Sequence, residues 1–150
     1  MKLEISYTDI LNEQKEELVG SELDIYRIDA TLIISLDEKV FFHEEYFPVL
    51  EFAVDLKKWL KSNKRSLYFC TVDFGTYGED SILDIIHYKG KKYLHSAWQQ
   101  FDAKHLLFEE QYIKDVLSEY LEQLDAEIIK EFGHNIDYYA SKKFPVLANT

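Results

Sequence analysis

The stretch that decides the fold is Gln111–Phe132, which reads QYIKDVLSEYLEQLDAEIIKEF. Its apolar residues recur every three or four positions and so form one stripe along a helix with 3.6 residues per turn. Glu109 and Glu110 place negative charge at the positive end of the helix dipole, and Gly133 provides a left-handed stop. A helix of this length, about 33 Å, can cross one face of a small sheet. We therefore predict a helix over 110–132 that covers the core.

The rest of the chain alternates between strand and helix patterns. A second helix is predicted over 49–62, because Pro48 favours a first helical turn and the apolar residues after it, including Trp59, keep helical spacing. The predicted strands are Leu3–Tyr7, Tyr26–Leu36, Val40–Phe47, Leu67–Val72, Ser81–Tyr88 and Lys92–Gln99. Short turns join several of them. We predict a single α+β domain over 1–150, with a largely antiparallel sheet of about six strands covered by two main helices.

Three segments have weaker patterns. Thr8–Val19 is predicted to be a weak helix or an ordered loop, and Phe101–Phe108 to be a connector. The tail after Gly133 keeps many apolar side chains, so we expect it to dock against the sheet at least as far as Tyr139.

The charge balance restricts the class of partner. The chain carries 28 acidic and 17 basic residues, for a formal net charge of -11. Phosphate backbones and anionic lipid surfaces would be repelled, because the basic clusters around Lys57–Arg65 and Lys89–Lys92 are short. We expect neither nucleic acid nor a membrane as partner, whereas a basic protein is a natural one.

The cysteine content and the N-terminus predict a cytoplasmic protein. Cys70 is the single cysteine and sits in the apolar run Leu67–Cys70, which favours a reduced, buried thiol. The N-terminus lacks the features of a signal peptide, and no segment approaches the apolar length of a membrane span.

Motifs of catalysis and metal binding are lacking in the sequence. There is no Gly-x-Ser-x-Gly run, and the glycine-bearing segment Phe74–Gly78 is followed by acidic residues that would repel a phosphate. His43 and Glu45 share one face of a predicted strand, but a single histidine makes a poor metal site. His87 and His95 flank the same turn and are interpreted as strand surface residues. We predict no metal, no cofactor and no enzyme activity.

Two acidic surfaces are the candidate partner-binding sites. Helical spacing places Asp115, Glu119 and Glu122 on one face, roughly opposite the apolar stripe. This face is either an ordinary solvated surface or a docking strip for a basic protein. The second candidate is the loop that contains Asp73, Tyr77, Glu79 and Asp80.

A resemblance supports the binding interpretation. The run Tyr46–Leu60, the strand end Ser96–Trp98 and the closing acidic helix resemble small bacterial proteins of the immunity type, which belong to polymorphic toxin systems. Such proteins are compact acidic domains that mask a basic toxin domain. The resemblance spans Tyr26–Phe132 and transfers no catalytic or contact residue.

We therefore predict a non-enzymatic protein-binding domain, an immunity or inhibitor protein that masks a basic partner by steric and electrostatic occlusion. The first alternative is a structural or regulatory domain that self-associates, as a homodimer, through aromatic surface such as Tyr138, Tyr139 and Phe144. The second alternative is a small hydrolase that uses a histidine and a carboxylate across the sheet.

Overall fold

A computed structural model describes residues 2–10, 18–20, 22–70 and 81–141. The strands are β1 (Leu3–Thr8), β2 (Ala30–Leu36), β3 (Lys39–Phe47), β4 (Leu67–Phe69), β5 (Leu83–Tyr88) and β6 (Lys91–His95). The α-helices are α1 (Val49–Lys61), α2 (Glu110–Phe132) and α3 (Ile136–Ser141), and a 3-10 helix covers Glu22–Tyr26. Most of the predicted segment Thr8–Val19 lies outside the described residues.

The strands form two antiparallel sheets of three strands each, in the orders β1-β2-β3 and β4-β5-β6. Two-residue turns close both inner hairpins, and the residues at their centres, Asp37–Glu38 and Lys89–Gly90, have positive φ. Such turns match the right-handed twist of paired strands. The α+β class, the antiparallel pairing and the two main helices are confirmed, and the strands are divided between two sheets.

Helix α2 joins the two sheets. It packs against β1 of the first sheet and β6 of the second. The hydroxyl of Tyr112 accepts a hydrogen bond from the backbone N–H of Leu3 at 2.9 Å. The helix ends at Gly133, whose φ of 89° gives the left-handed stop that the sequence predicts.

Both sheets and both main helices contribute to one hydrophobic core. Its centre contains edge-to-face aromatic contacts, such as that between Phe47 of β3 and Phe52 of α1, whose ring centroids are 5.6 Å apart. Trp59 also belongs to this core, with 4% of its surface exposed, and its predicted position on the core side of α1 is confirmed. A void of about 10 Å³ lies between the two sheets.

The beginning of the second predicted strand is wrong. Tyr26 ends the 3-10 helix, and β2 starts at Ala30. The cause is Asp24, a buried residue whose carboxylate accepts hydrogen bonds from the backbone N–H groups of Val19 and Gly20 at 3.1 and 2.9 Å. These local bonds hold the chain in a turn, where the alternating pattern alone predicts extended backbone.

The tail docks at least as far as Tyr139, as predicted, but it packs on helices and not on the sheet. Helix α3 packs mainly on α1, α2 and the 3-10 helix. The Asp125 carboxylate accepts the backbone N–H of Ile136 at 2.8 Å, and Lys57 pairs with Asp137 at 2.7 Å. Because α1 and α2 leave apolar surface between them, the tail completes a layer of helices.

Two further expectations about exposure are wrong. Tyr139 is buried, so it is no part of an aromatic surface, while Tyr138 is half-buried and Phe144 lies outside the described residues. Cys70 is exposed. The apolar run before it contains a short strand whose side chains alternate in direction, so Phe69 points to the core while Tyr68 and Cys70 do not.

Candidate functional site

The acidic strip, formed by Asp115, Glu119 and Glu122, lies on the outer face of α2. All three side chains are exposed, as their helical spacing predicts. Gln111, which lies one turn before Asp115 on the same helix, donates a hydrogen bond to the Asp115 carboxylate at 2.8 Å. Within the described ranges, Glu119 and Glu122 form neither an ion pair nor a hydrogen bond, so their charges face solvent.

Other carboxylates of α2 hold the fold together. Glu110 pairs with Lys92 at 3.3 Å and with Lys114 at 3.6 Å. The Lys92 ammonium group, through a hydrogen bond and its charge, holds the pKa of the Glu110 carboxyl below its usual range. Glu127 accepts a hydrogen bond from the Tyr7 hydroxyl at 3.1 Å. The acidic strip therefore differs from these carboxylates, because its charges are not needed to attach α2 to the sheets.

A shallow groove of about 240 Å³ borders the strip between α1 and α2. Glu122 and Asp125 stand on its α2 side, and Lys57 and Lys61 on its α1 side. The two walls thus carry opposite charge. A partner that covers both helices would meet an acidic surface and a basic surface side by side.

The other predicted partner-binding residues lie outside the described residues. They are Asp73, Tyr77, Glu79 and Asp80, all within the segment 71–80. Their part in a binding surface stays a prediction.

The described residues include no group of three histidine, cysteine or acidic side chains that could hold a metal ion. His43 and Glu45, the pair that the sequence brings closest to a metal site, are both exposed on β3. Nor is any helix in this part of the chain long and apolar enough to cross a membrane.

A histidine and a carboxylate meet across the second sheet. Asp84 of β5 lies opposite His95 of β6, and His95 Nδ1 is 2.9 Å from Asp84 Oδ2. The Ser81 hydroxyl donates to the other carboxylate oxygen. Asp84 is buried, whereas 43% of the His95 side chain is exposed. A carboxylate at Nδ1 keeps the hydrogen there, so that Nε2 of the neutral ring is the acceptor.

The sequence did not predict this pair. His87 and His95 flank the same turn, but His87 lies opposite Lys92 and not opposite His95. The available signal was Asp84 itself, a lone carboxylate in the apolar run Ile82–Ile86. A buried acid in such a run needs a partner, and the neighbouring hairpin strand is where to look for one.

Cys70 directly follows β4, the strand next to Asp84 of β5, but its chemistry is not that of an activated nucleophile. Partial desolvation, followed by the negative charges of Asp84 and Asp55, raises the pKa of the Cys70 thiol. A reactive cysteine has the opposite environment, with positive neighbours that stabilise the thiolate. Cys70 is therefore a neutral thiol near neutral pH.

Lys92 is a second feature that the sequence did not predict. Its side chain is fully buried, and its ammonium group donates to the Arg65 carbonyl oxygen at 2.9 Å. The same group lies 3.2 Å from His87 Nδ1 and pairs with Glu110. Lys92 therefore ties β6 to α2 and to the loop before β4, and it is unavailable for the basic surface that its sequence neighbours suggest.

Comparison with known proteins gives a family. No curated protein matches the chain, and no solved structure matches it either. A family model described as a domain of unknown function (DUF7878) matches residues 2–130. The matched range includes both sheets, the acidic strip and the Asp84–His95 pair, and it omits α3. Since the match covers most of the sequence, the chain belongs to the DUF7878 family.

Proposed function

We propose that this protein is a non-enzymatic binding domain, an immunity or inhibitor type of protein that masks a basic partner. The acidic strip on α2 would make the contact. The observation that carries the proposal is that Glu119 and Glu122 are exposed and, among the described residues, have no partner, while neighbouring carboxylates of α2 are engaged.

The charge of the helix supports the same proposal. The α2 segment contains seven acidic and two basic residues, in a chain of net charge -11. Such a surface attracts a positively charged partner from a distance and accelerates association. Since α2 is anchored to both sheets, the strip is held on a rigid element, and binding requires little ordering of the chain.

The test is a capture experiment with two matched variants. In the first variant, Asp115, Glu119 and Glu122 are replaced together by lysine. In the control, three exposed acids of the first sheet, Glu4, Glu38 and Glu45, are replaced by lysine, which gives the same change in net charge.

Immobilised wild-type and control proteins are expected to retain a basic protein from a lysate of the source organism, and the α2 variant to lose it. Loss with both variants would show that only net charge matters. Retention by both, or capture of an acidic protein, would contradict the proposed contact.

We propose a small hydrolase as the second candidate function, because Asp84 contacts His95 Nδ1 at 2.9 Å and the His95 side chain is partly exposed. In that reaction His95 Nε2 would take a proton from a water molecule while the water oxygen bonds to the carbonyl carbon of an ester. The leaving alcohol would then take this proton from Nε2 as the ester bond breaks.

A hydrolysis assay with p-nitrophenyl acetate tests this candidate. Activity that is present in the wild type and in the exposed-histidine control His105→Gln, and lost in His95→Gln, would support it. Equal rates in all three proteins would reject it.

We also propose a cytoplasmic location, which rests on the single, unpaired cysteine and the composition of the chain.

A further inference from the structure

A cleft of about 380 Å³ lies between the C-terminal half of α1 and the start of β4, away from the acidic strip. Its volume is in the range of sites that bind small molecules. The lining residues are Asp55, Lys58, Trp59, Ser62, Lys64, Ser66, Leu67 and Tyr68.

The cleft is locally positive in a strongly acidic protein. Lys58 and Lys64 both line it, against the single carboxylate of Asp55. Among the described residues, neither lysine forms an ion pair, whereas Lys57 on the neighbouring face of α1 is paired with Asp137 at 2.7 Å. The two ammonium groups outnumber the one carboxylate of the lining, and this excess of positive charge favours an anion there.

Trp59 provides a second, independent observation. The residue is 4% exposed, and its indole Nε1 is buried without a hydrogen-bond acceptor in the part of the chain that the structure describes. A buried donor without an acceptor is uncommon and costly in native proteins. Trp59 is one of the residues that line the cleft, so an oxygen atom of a ligand bound there is a suitable acceptor.

Two neighbours complete the environment of the indole. The buried Lys92 ammonium group lies 5.9 Å from the centre of the Trp59 ring and adds positive charge to this region. Tyr68, which is 60% exposed, forms an aromatic wall at the rim. The surroundings therefore combine positive charge, one N–H donor and a flat apolar surface.

We propose that this cleft binds a small molecule through a phosphate or carboxylate group, with Lys58 and Lys64 opposite its charge and Trp59 Nε1–H donating to one of its oxygens. Because Nε1 is buried, this contact requires a small movement of the surrounding side chains. The site is independent of the contact proposed for α2.

The test follows the two indole N–H resonances by NMR in the ¹⁵N-labelled full chain. Trp59 reports on the cleft, and Trp98, which follows β6, is the internal reference. The probes are inorganic phosphate, adenosine monophosphate and benzoate, each added at constant ionic strength. Phosphate and benzoate separate the two kinds of anion, and the nucleotide adds an aromatic group to a phosphate.

A saturable shift of the Trp59 resonance with at least one probe, without a comparable shift of Trp98, is the expected result. Lys58→Gln and Lys64→Gln should each weaken the affinity for that probe by about tenfold, which is the effect of losing one charged hydrogen bond. Lys61→Gln is the matched control, since it removes the same charge from α1 but does not line the cleft.

Failure of all three probes to shift Trp59 would overturn the proposal. It would also be overturned if Lys61→Gln weakened binding as much as Lys58→Gln and Lys64→Gln, because the attraction would then come from general charge. Neither result bears on the capture experiment with the α2 variants.

Discussion

The Tyr120 hydroxyl is predicted to lower the stability of the protein. It is buried and, among the described residues, has no hydrogen-bond partner. Burial, followed by the neighbouring Tyr7, raises its pKa, so the group stays neutral. An unsatisfied buried polar group costs about 1 to 3 kcal/mol. Tyr120→Phe removes it without a cavity and should raise the free energy of unfolding by about 1 kcal/mol.

For a chain of this size the corresponding rise in Tm is about 2 to 4 °C. The matched control is Tyr7→Phe, in the ring that packs edge-to-face on Tyr120 with 6.0 Å between centroids. The Tyr7 hydroxyl donates a hydrogen bond to Glu127 at 3.1 Å, so the free energy of unfolding of Tyr7→Phe should fall by about 1 kcal/mol. Urea denaturation measures both. If Tyr120→Phe is destabilising like Tyr7→Phe, the Tyr120 hydroxyl has a partner and the reasoning is refuted.

The remaining predictions concern the core, a buried lysine, acid stability and metal. Trp59→Ala should lower the free energy of unfolding by about 3 to 5 kcal/mol, and an unchanged urea midpoint would show that the residue is not in the core. Lys92→Ala should lower the free energy of unfolding by at least about 2 kcal/mol, whereas Lys91→Ala, on the exposed side of the same strand, should change it by no more than about 0.5 kcal/mol. Neighbouring lysines hold the pKa values of the Glu110 and Asp137 carboxyl groups below their usual range. These ion pairs therefore stabilise the folded state at any pH above the ordinary carboxyl pKa. The stabilisation is lost as the pH falls through the lowered pKa values of the folded state. The urea midpoint should therefore fall between about pH 5 and about pH 3, and a flat profile would contradict this coupling. EDTA should leave the Tm unchanged, and a drop would reveal a metal site.

Much of the fold follows from patterns within single segments. The apolar stripe of α2 places most of its buried residues correctly, with the exception of Ile129, which is exposed. Gly133 ends the helix where the sequence predicts. The division into two sheets is different in kind, because it depends on which strands pair over long distances. The pairing of β1 with β2 and of β4 with β5 joins strands separated by segments whose sequence carries no register signal.

The candidate site was predictable to the same extent. Exposure of the acidic strip follows from helical spacing alone. The contacts of Asp84 with His95 and of Lys92 with Glu110 depend on the register of β5 with β6 and on the docking of α2, so the sequence did not reveal them. In each case a buried charged residue of a strand is explained by a partner from another element.

The central proposal is that the charges of the acidic strip steer a basic partner. The most direct test is the association rate constant of the captured partner with the wild type, the α2 lysine variant and the control variant, at about 0.02 M and about 0.15 M salt. Association of the wild type and the control should be fast at low salt and markedly slower at high salt, while the α2 variant should be slow at both. All three proteins should unfold at similar urea concentrations, since exposed substitutions usually stay within about 0.5 kcal/mol each. Equal association rates for the wild type and the α2 variant, insensitive to salt, would contradict the proposal and leave the strip as a solvated helix face.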